Sequence, residues 1–268
     1  MPKLRRETTT HLAVLRALTV ARVQDLTPGM RRITLAGDDL GERRLGDVTL
    51  PAFSSPGFDD HVKVFVPLHG AELPVLPTQR ADGLDWTTEG TRPTASDYTP
   101  RRVDVEGREL DLDFVRHGHG NAAGWAERAQ VGDPAWIAGP SIGQALPHDV
   151  DWFMVAGDET ALPAIGRLLE ELPAGARAQV VVEVADAADE QPLPTQADVE
   201  LTWLHRDGAE AGTTTLLADA VRDAPWWDGE AYAWMAGEST AARTIRTFWR
   251  AERHVPRDCL DVSGYWRR

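Results

Sequence analysis

Two stretches of this chain hold residues whose types and spacing bear on chemistry. The first runs Met154-Val155-Ala156-Gly157-Asp158-Glu159-Thr160-Ala161-Leu162-Pro163-Ala164-Ile165-Gly166. An apolar run (Trp152–Ala156) stops at Gly157, turns through polar residues and opens into an amphipathic helix pattern. A strand–turn–helix of this kind points free helix N–H groups at an anionic ligand. The turn lacks a glycine triplet, however, and Asp158 and Glu159 would repel a pyrophosphate laid against them. The expectation is a dinucleotide-like ligand held in an unusual way.

The second stretch is Asp97-Tyr98-Thr99-Pro100-Arg101-Arg102, followed by Asp111-Leu112-Asp113-Phe114-Val115-Arg116-His117-Gly118-His119-Gly120-Asn121-Ala122-Ala123-Gly124-Trp125-Ala126. Gly118, Gly120 and Gly124 precede or enter a helix, where small residues let the backbone approach a phosphate. Tyr98 and Thr99, at a strand end, have the shape to cover and hydrogen-bond a flat heteroaromatic ring, or Tyr98 simply packs. His117 and His119 share a strand face, but the intervening glycine and the lack of further ligands favour contact with a ligand or solvent over a metal site. Asp111 and Asp113 resemble an acid–base pair, yet alternation with Leu110, Leu112 and Phe114 puts them on the solvent- or loop-facing side of a strand.

The elements that must position these residues change character half-way along. Strand patterns cover 17–24, 30–36, 61–67, 98–105, 109–115 and 133–139, with a turn at Leu26-Thr27-Pro28-Gly29, a hairpin at Glu106-Gly107-Arg108, and a long loop over 71–97. Six short strands predict a small antiparallel barrel. From residue 152 onward, strands at 152–156, 179–184, 199–204 and 232–236 are interleaved with helical or loop segments. Leu162, Ile165, Leu168, Leu169 and Leu172 share one helix face, so a parallel sheet with covering helices is expected. The boundary falls near 147–151, giving domains 1–148 and 149–268.

The chain has 268 residues and a formal net charge of −14, which opposes general nucleic-acid or anionic-membrane binding. The single cysteine, Cys259, excludes an intrachain disulfide and cysteine-based metal sites and is expected in a buried strand. Met1–Thr10 has no apolar leader segment and no run reaches membrane-spanning length, so a soluble, cytoplasmic protein is expected; the sequence does not show the oligomeric state, and a monomer is the default.

Taken together, the segments resemble the siderophore-interacting protein family, flavin-dependent ferric-siderophore reductases related to ferredoxin reductases. The matching pieces run in order along nearly the whole chain: Leu26-Thr27-Pro28-Gly29-Met30, Asp60-His61-Val62-Lys63, Tyr98-Thr99-Pro100-Arg101, Leu110–Gly118, Trp125-Ala126, Val131-Gly132-Asp133 with Gly139-Pro140, Ala156–Ile165, Ala236-Gly237-Glu238 and Gly264-Tyr265-Trp266-Arg267. The resemblance implies an N-terminal six-stranded Greek-key β-barrel that binds FAD and a C-terminal α/β domain for NADPH or NADH. Tyr98 and Thr99 would flank the isoalloxazine, with Pro100 and Arg101 beside them and Val115 and His117 along the flavin strand. Gly120, Asn121, Ala122 and Ala123 would meet the pyrophosphate, and Trp125 would lie toward the adenine. Asp158, Thr160 and Ala161 complete the implied cofactor set, with Gly157, Glu159, Gly237 and Glu238 on the nicotinamide side.

The family usually has Arg two residues before the tyrosine; here that position is Ser96. Flavin binding must then lean on Arg101, Arg102 or backbone donors, because Arg92 has the wrong spacing to substitute. The implied substrate is a ferric siderophore, often anionic, received by a basic mouth. Candidates are Lys63, Arg101, Arg102, Arg243 and Arg246, which share a helix face, and the tail Arg267-Arg268. For the donor, Glu183 or Asp186 would bind a ribose hydroxyl, whereas Arg206 would take a 2′-phosphate. The alternatives are a general flavin oxidoreductase fed by ferredoxin or another redox partner, and a non-catalytic siderophore-binding protein.

Overall fold

The computed structural model describes residues 6–67, 72–87, 93–118 and 120–268. They group into two units, Thr8–Gln144 and Ala145–Arg268, with Arg6 and Glu7 belonging to the second. Arg6 explains that assignment: its Nε donates to the Ala145 carbonyl at 2.9 Å and its Nη1 meets Asp261 at 3.0 Å.

The first unit is built on an antiparallel sheet of seven strands: β1 (Leu15–Thr27), β2 (Met30–Ala36), β3 (Val62–Phe65), β4 (Ser96–Tyr98), β5 (Pro100–Asp104), β6 (Glu109–Val115) and β7 (Pro134–Ala138). Their order is β5-β6-β2-β1-β7-β3-β4. The two outermost strands are consecutive in sequence and separated by Thr99 alone, so the sheet curls until its ends share one link. This corrects the single strand expected over 98–105. Pro100 has no N–H to continue a ladder and restricts the residue before it, so the chain leaves one edge at Tyr98 and joins the other at Pro100.

Alternation along the strands turns Val20, Ile33, Leu35, Val62, Val64, Leu110, Leu112, Phe114 and Ile137 into one core. The expected loop over 71–97 contains a small hairpin, Thr78–Arg80 with Gly83–Asp85, whose Gln79 accepts the Leu15 N–H at 2.7 Å. Two further pairings were not apparent in the sequence pattern: Thr8–Thr10 with Ile142–Gln144, and Arg43–Leu45 with Val48–Leu50.

Asp111 and Asp113 do not face solvent; they are 4 % and 5 % exposed. Arginines on neighbouring strands cover them. Arg32 grips Asp113 through two hydrogen bonds of 2.6 and 2.8 Å, while Arg102 and Thr34 donate to Asp111 at 2.7 Å each. Arg102 also reaches Glu109, which Arg22 holds from the other side at 2.6 and 2.7 Å. Hydrogen bonds from Arg22 and Arg102 keep the Glu109 carboxyl down at about 2.

The second unit carries five parallel strands, β8 (Trp152–Asp158), β9 (Arg177–Val184), β10 (Asp198–His205), β11 (Ala231–Glu238) and β12 (Leu260–Trp266), in the order β10-β9-β8-β11-β12. Helices α2 (Leu162–Glu171), α3 (Leu216–Asp223) and α4 (Ser239–Ala251) connect or flank them, whereas the β9-to-β10 crossover contains only a 3₁₀ turn at Ala187–Asp189. The label α1 belongs to a short helix of the first unit, Asn121–Ala126. Strands β8, β9 and β11 are buried on both faces; β8 and β11 read as near-continuous apolar runs, whereas β9 is interrupted by Gln179 and Glu183. Leu162, Ile165, Leu168 and Leu169 of α2, with Leu172 just beyond it, are all buried, each worth roughly 2 kcal/mol. Strand β12 was not anticipated, and buried Cys259 sits in the 3₁₀ turn before it rather than in a strand.

Gly157 is held by close packing. A Cβ there would lie 2.5 Å from Ala161 Cβ and 3.0 Å from the Ala236 carbonyl oxygen. Gly157→Ala is therefore expected to cost about 1–3 kcal/mol in urea unfolding; a loss under about 0.5 kcal/mol would contradict this packing.

Candidate functional site

In the first unit, the predicted residues gather around the open end of β6. Tyr98, at the end of β4, packs on Phe114 with ring centroids 4.3 Å apart, and Phe114 contacts Trp125 of α1 at 5.8 Å. Burial pushes the Tyr98 phenol well above its ordinary range, so it remains a neutral hydrogen-bonding group. Thr99 and Pro100 are buried beside it. Phe114, which ties Tyr98 to Trp125, was read from the sequence only as a core residue.

After Val115, the chain passes His117 and Gly118 and enters α1 through Gly120. Gly118 and Gly120 adopt left-handed backbone angles, φ 71° and 78°, and a Cβ on either would meet nothing within 4 Å. Among the described residues the space beside the backbone is therefore open, and no side chain caps the helix start. The other end of α1 is fixed. Arg31 donates to the Ala126 and Glu127 carbonyls at 3.1 and 2.8 Å, and Arg116 holds the Glu127 carboxylate through two 2.9 Å bonds. A cation at the carboxyl end of a helix is favourably placed. His119 and Arg92 lie outside the described residues. Ser96 is exposed on β4, and its neighbour Asp97 pairs with Lys63 at 2.8 Å.

In the second unit, Gly157, Asp158, Glu159, Thr160, Ala161, Gly237 and Glu238 do converge, at the carboxyl ends of β8 and β11. The sheet order grows outward in both directions from these two central strands, which makes their ends the expected ligand crevice. Asp158 is the hub. It is 5 % exposed and accepts hydrogen bonds from Thr160 N (2.9 Å), Thr160 Oγ1 (2.5 Å), Glu238 N (2.8 Å) and Trp266 Nε1 (2.8 Å). Burial, with the nearby Glu159 charge, raises its carboxyl to about 6. Gly237 has φ 153°, and a Cβ there would sit 2.6 Å from Asp158 Oδ2. Glu238 caps α4 through Thr240 N and Ala241 N.

Glu183 and Arg206, alternatives in the sequence reading, are in contact at 3.3 Å, and Arg206 also holds Glu159 at 2.6 and 2.8 Å. Asp186 instead caps its own turn through Ala188 N. Trp266 and Gly212 line the same pocket and were missed as site residues. Their only sequence signal was the terminal aromatic pair and an isolated loop glycine. Among the proposed substrate-facing cations, Lys63 is engaged by Asp97 and Arg102 by Glu109 and Asp111; Arg243 and Arg246 are both exposed, and Arg246 donates to the Val262 carbonyl. Physical chemistry explains the case of Arg102: it is the counter-ion of a carboxylate that would otherwise be buried unpaired.

A curled antiparallel sheet with a glycine-opened helix, and a parallel sheet with a crevice at its carboxyl ends, define the ferredoxin-reductase-like fold. Solved ferredoxin and P450 reductases at most 18% identical to this chain share it, a likeness of fold alone. The model for the siderophore-interacting FAD-binding domain matches residues 19–144, and that for the siderophore-interacting protein matches residues 150–268. The chain belongs to the siderophore-interacting protein family. It is 32% identical to the ferric vibriobactin reductase ViuB of Vibrio cholerae, over 94% of this chain and 89% of that protein. It is 33% identical to the NADPH-dependent ferric-chelate reductase of Escherichia coli, over 94% and 92%. A siderophore utilization protein from T. fusca has a solved structure that is 37% identical, with a TM-score of 0.88, covering 98% of this chain and 96% of that one.

The first unit is thus the FAD-binding domain of the family, and its residues fit that group: the glycines leave room at the α1 start, and Tyr98 offers a ring-sized apolar surface with a polar tip. Gly120 (φ 78°, ψ 163°) lies in a backbone region nearly closed to side chains, so Gly120→Ala would cost about 1–3 kcal/mol. The purified variant is expected to carry less flavin per protein than the parent, read from the ratio of absorbance at the flavin band to that of the protein. Equal flavin content would remove Gly120 from the cradle.

Asp158 gives a pH prediction. Its folded-state carboxyl lies above the unfolded value of 3.8, so the folded protein binds more protons between pH 3.8 and about 6. Its contribution to stability is therefore greatest below 3.8 and declines by about 3 kcal/mol as pH rises through about 6. The stability of wild type minus that of Asp158→Asn should fall over this window in denaturant titrations; a flat difference would refute it.

Proposed function

We propose that this protein is a ferric-siderophore reductase that passes electrons from NADPH or NADH, by way of FAD, to Fe(III) held in a siderophore. The observation that carries the reading is the likeness, over 94% of the chain, to proteins named for ferric-chelate reduction, joined to an FAD-binding domain over residues 19–144. One NAD(P)H and two Fe(III) give NAD(P)⁺, a proton and two Fe(II). Bound FAD supplies the exchange between a two-electron hydride donor and a one-electron acceptor. Hard oxygen donors hold Fe(II) less tightly than Fe(III), so reduction itself loosens the metal.

The chain's own residues bind and orient. Tyr98 and Thr99 hold the flavin ring, with Pro100, Arg101, Val115 and His117 alongside. Gly120–Ala123 would offer backbone N–H groups to the pyrophosphate, while Trp125, 4 % exposed and packed on Phe114, would support that turn from the core instead of meeting the adenine. The first unit, as a Greek-key barrel, forms the flavin domain, and the second unit forms the nicotinamide domain, with the boundary at Gln144–Ala145 rather than at 148–149. There Gly157, Glu159, Gly237 and Glu238 border the nicotinamide, with Asp158, Thr160 and Ala161 shaping the turn. Exposed Arg243 draws the anionic chelate. The protein acts as a cytoplasmic monomer on this small molecule.

The purified protein should show a flavin spectrum that bleaches on anaerobic addition of NADH or NADPH and returns when a ferric hydroxamate or catecholate is added, with Fe(II) trapped by a chromogenic chelator. A protein that cannot be reconstituted with FAD, or whose reduced flavin ignores both ferric complexes, would overturn the reading. Arg243→Ala should raise KM for an anionic ferric siderophore about threefold, with kcat unchanged. An unchanged KM removes Arg243 from that role.

A further inference from the structure

The start of α1 is open and uncapped, whereas its far end is tied down by charge. Arg31 donates to the Ala126 and Glu127 carbonyls and is itself gripped by Asp25 at 2.6 and 3.2 Å. Arg116 holds the Glu127 carboxylate through two 2.9 Å bonds and lies 3.7 Å from Asp25. The four residues close a ring drawn from three places in the chain. Asp25 and Arg31 belong to β1 and β2 on either side of their turn, Arg116 follows β6, and Glu127 follows α1. Burial of Ala122, Trp125 and Ala126 decides which face of the helix turns inward; the ring fixes its end.

Hydrogen bonds from Arg31 hold the Asp25 carboxyl below its ordinary range, and those from Arg116 do the same for Glu127, so both are ionised at neutral pH. The side chains stay within reach of solvent, 52 % exposed at Asp25 and 31 % at Glu127, so salt weakens the ring. A helix as short as α1 forms only as far as the fold holds it. Its first turn has a larger task in this chain than the charges nearby suggest. Ser96 is uncharged, and Arg102 is occupied by Glu109 and Asp111. More of the hold on a pyrophosphate therefore falls on the N–H groups that α1 presents. A ligand that needs a formed turn binds in proportion to the fraction of molecules in which that turn is formed.

We infer that Arg116 and Glu127, with Arg31 and Asp25, are positioning residues for the FAD pyrophosphate. The ring sets how much of the protein has α1 ready, and so sets FAD affinity from the end of the helix opposite the ligand. The inference rests on the placement of the pyrophosphate at Gly120–Ala123 proposed above.

Serial dilution of the FAD-loaded protein, with released flavin read from its fluorescence, tests it. Arg116→Ala and Glu127→Ala should each raise the FAD Kd about fivefold. The double variant should add little, because the two changes remove one interaction. Arg116→Lys should recover part of the loss. The same series on protein loaded with riboflavin, which has no pyrophosphate, should give one Kd for wild type and variants. For FAD, the ratio of variant to wild-type Kd should close toward one as sodium chloride is raised to about 1 M. An unchanged FAD Kd in both single variants, a ratio indifferent to salt, or a riboflavin Kd that rises in step would overturn the inference. Wild type that binds FAD beside unaffected variants removes the ring's role and leaves the flavin reading standing. A wild type that takes up no FAD overturns both.

Discussion

A carboxylate withdrawn from water must be met by donors, and at Asp158 that requirement organises the carboxyl edge of the parallel sheet. Its two oxygens gather the Thr160 turn, the start of α4 through Glu238 N, and the indole of Trp266 on the last strand. Three strand ends and one turn are thereby fixed to a single side chain. Gly237 must stay free of a Cβ because that side chain fills the space. The acidic turn after β8 is consequently not a failed phosphate loop. One of its acids is internal mortar, and the other is the partner of Arg206.

The same rule governs the first unit with the signs arranged differently. Asp111 and Asp113 are buried on the outer face of β6, and the cost of desolvating them is offset by Arg102, Arg32 and Thr34. Many of the arginines that look available in the sequence are thus already engaged. In a chain of net charge −14 an anionic ligand is opposed overall, so it must be drawn by exposed cations such as Arg243.

Local pattern made much of this legible. Apolar runs such as Trp152–Ala156 and Val180–Val182 announce strands buried on both faces, and the alternation around Leu110–Phe114 fixes the inward face of β6. What the pattern lacked was the partner across the sheet. Alternation shows that Asp111 and Asp113 share a side; only the register of β6 on β2 and β5 shows that arginines cover it. Glu183 and Arg206 were competing readings because 23 residues separate them, and their contact is tertiary. Strand β12, Leu-Asp-Val-Ser-Gly-Tyr-Trp, is a sheet-edge strand with little continuous burial, so it carries a weak periodic signal, and with it Trp266 was lost as a pocket residue. Ser96, in contrast, was visible at once as a departure, and it stands exposed on β4.

Helix α1 has six residues, too few to hold together by itself in water. It persists because Arg31, on β2 directly opposite Phe114, reaches its final carbonyls, and Arg116, whose N–H bonds the Gly29 carbonyl, grips Glu127. The helix therefore inherits its position from the pairing of two strands. A slip of one residue in that pairing would send Arg31 to the opposite face of the sheet and leave the glycine turn without an anchor. Strand register thus acts as a proofreader: a chain that pairs these strands wrongly cannot seat α1 or the glycine turn that leads into it.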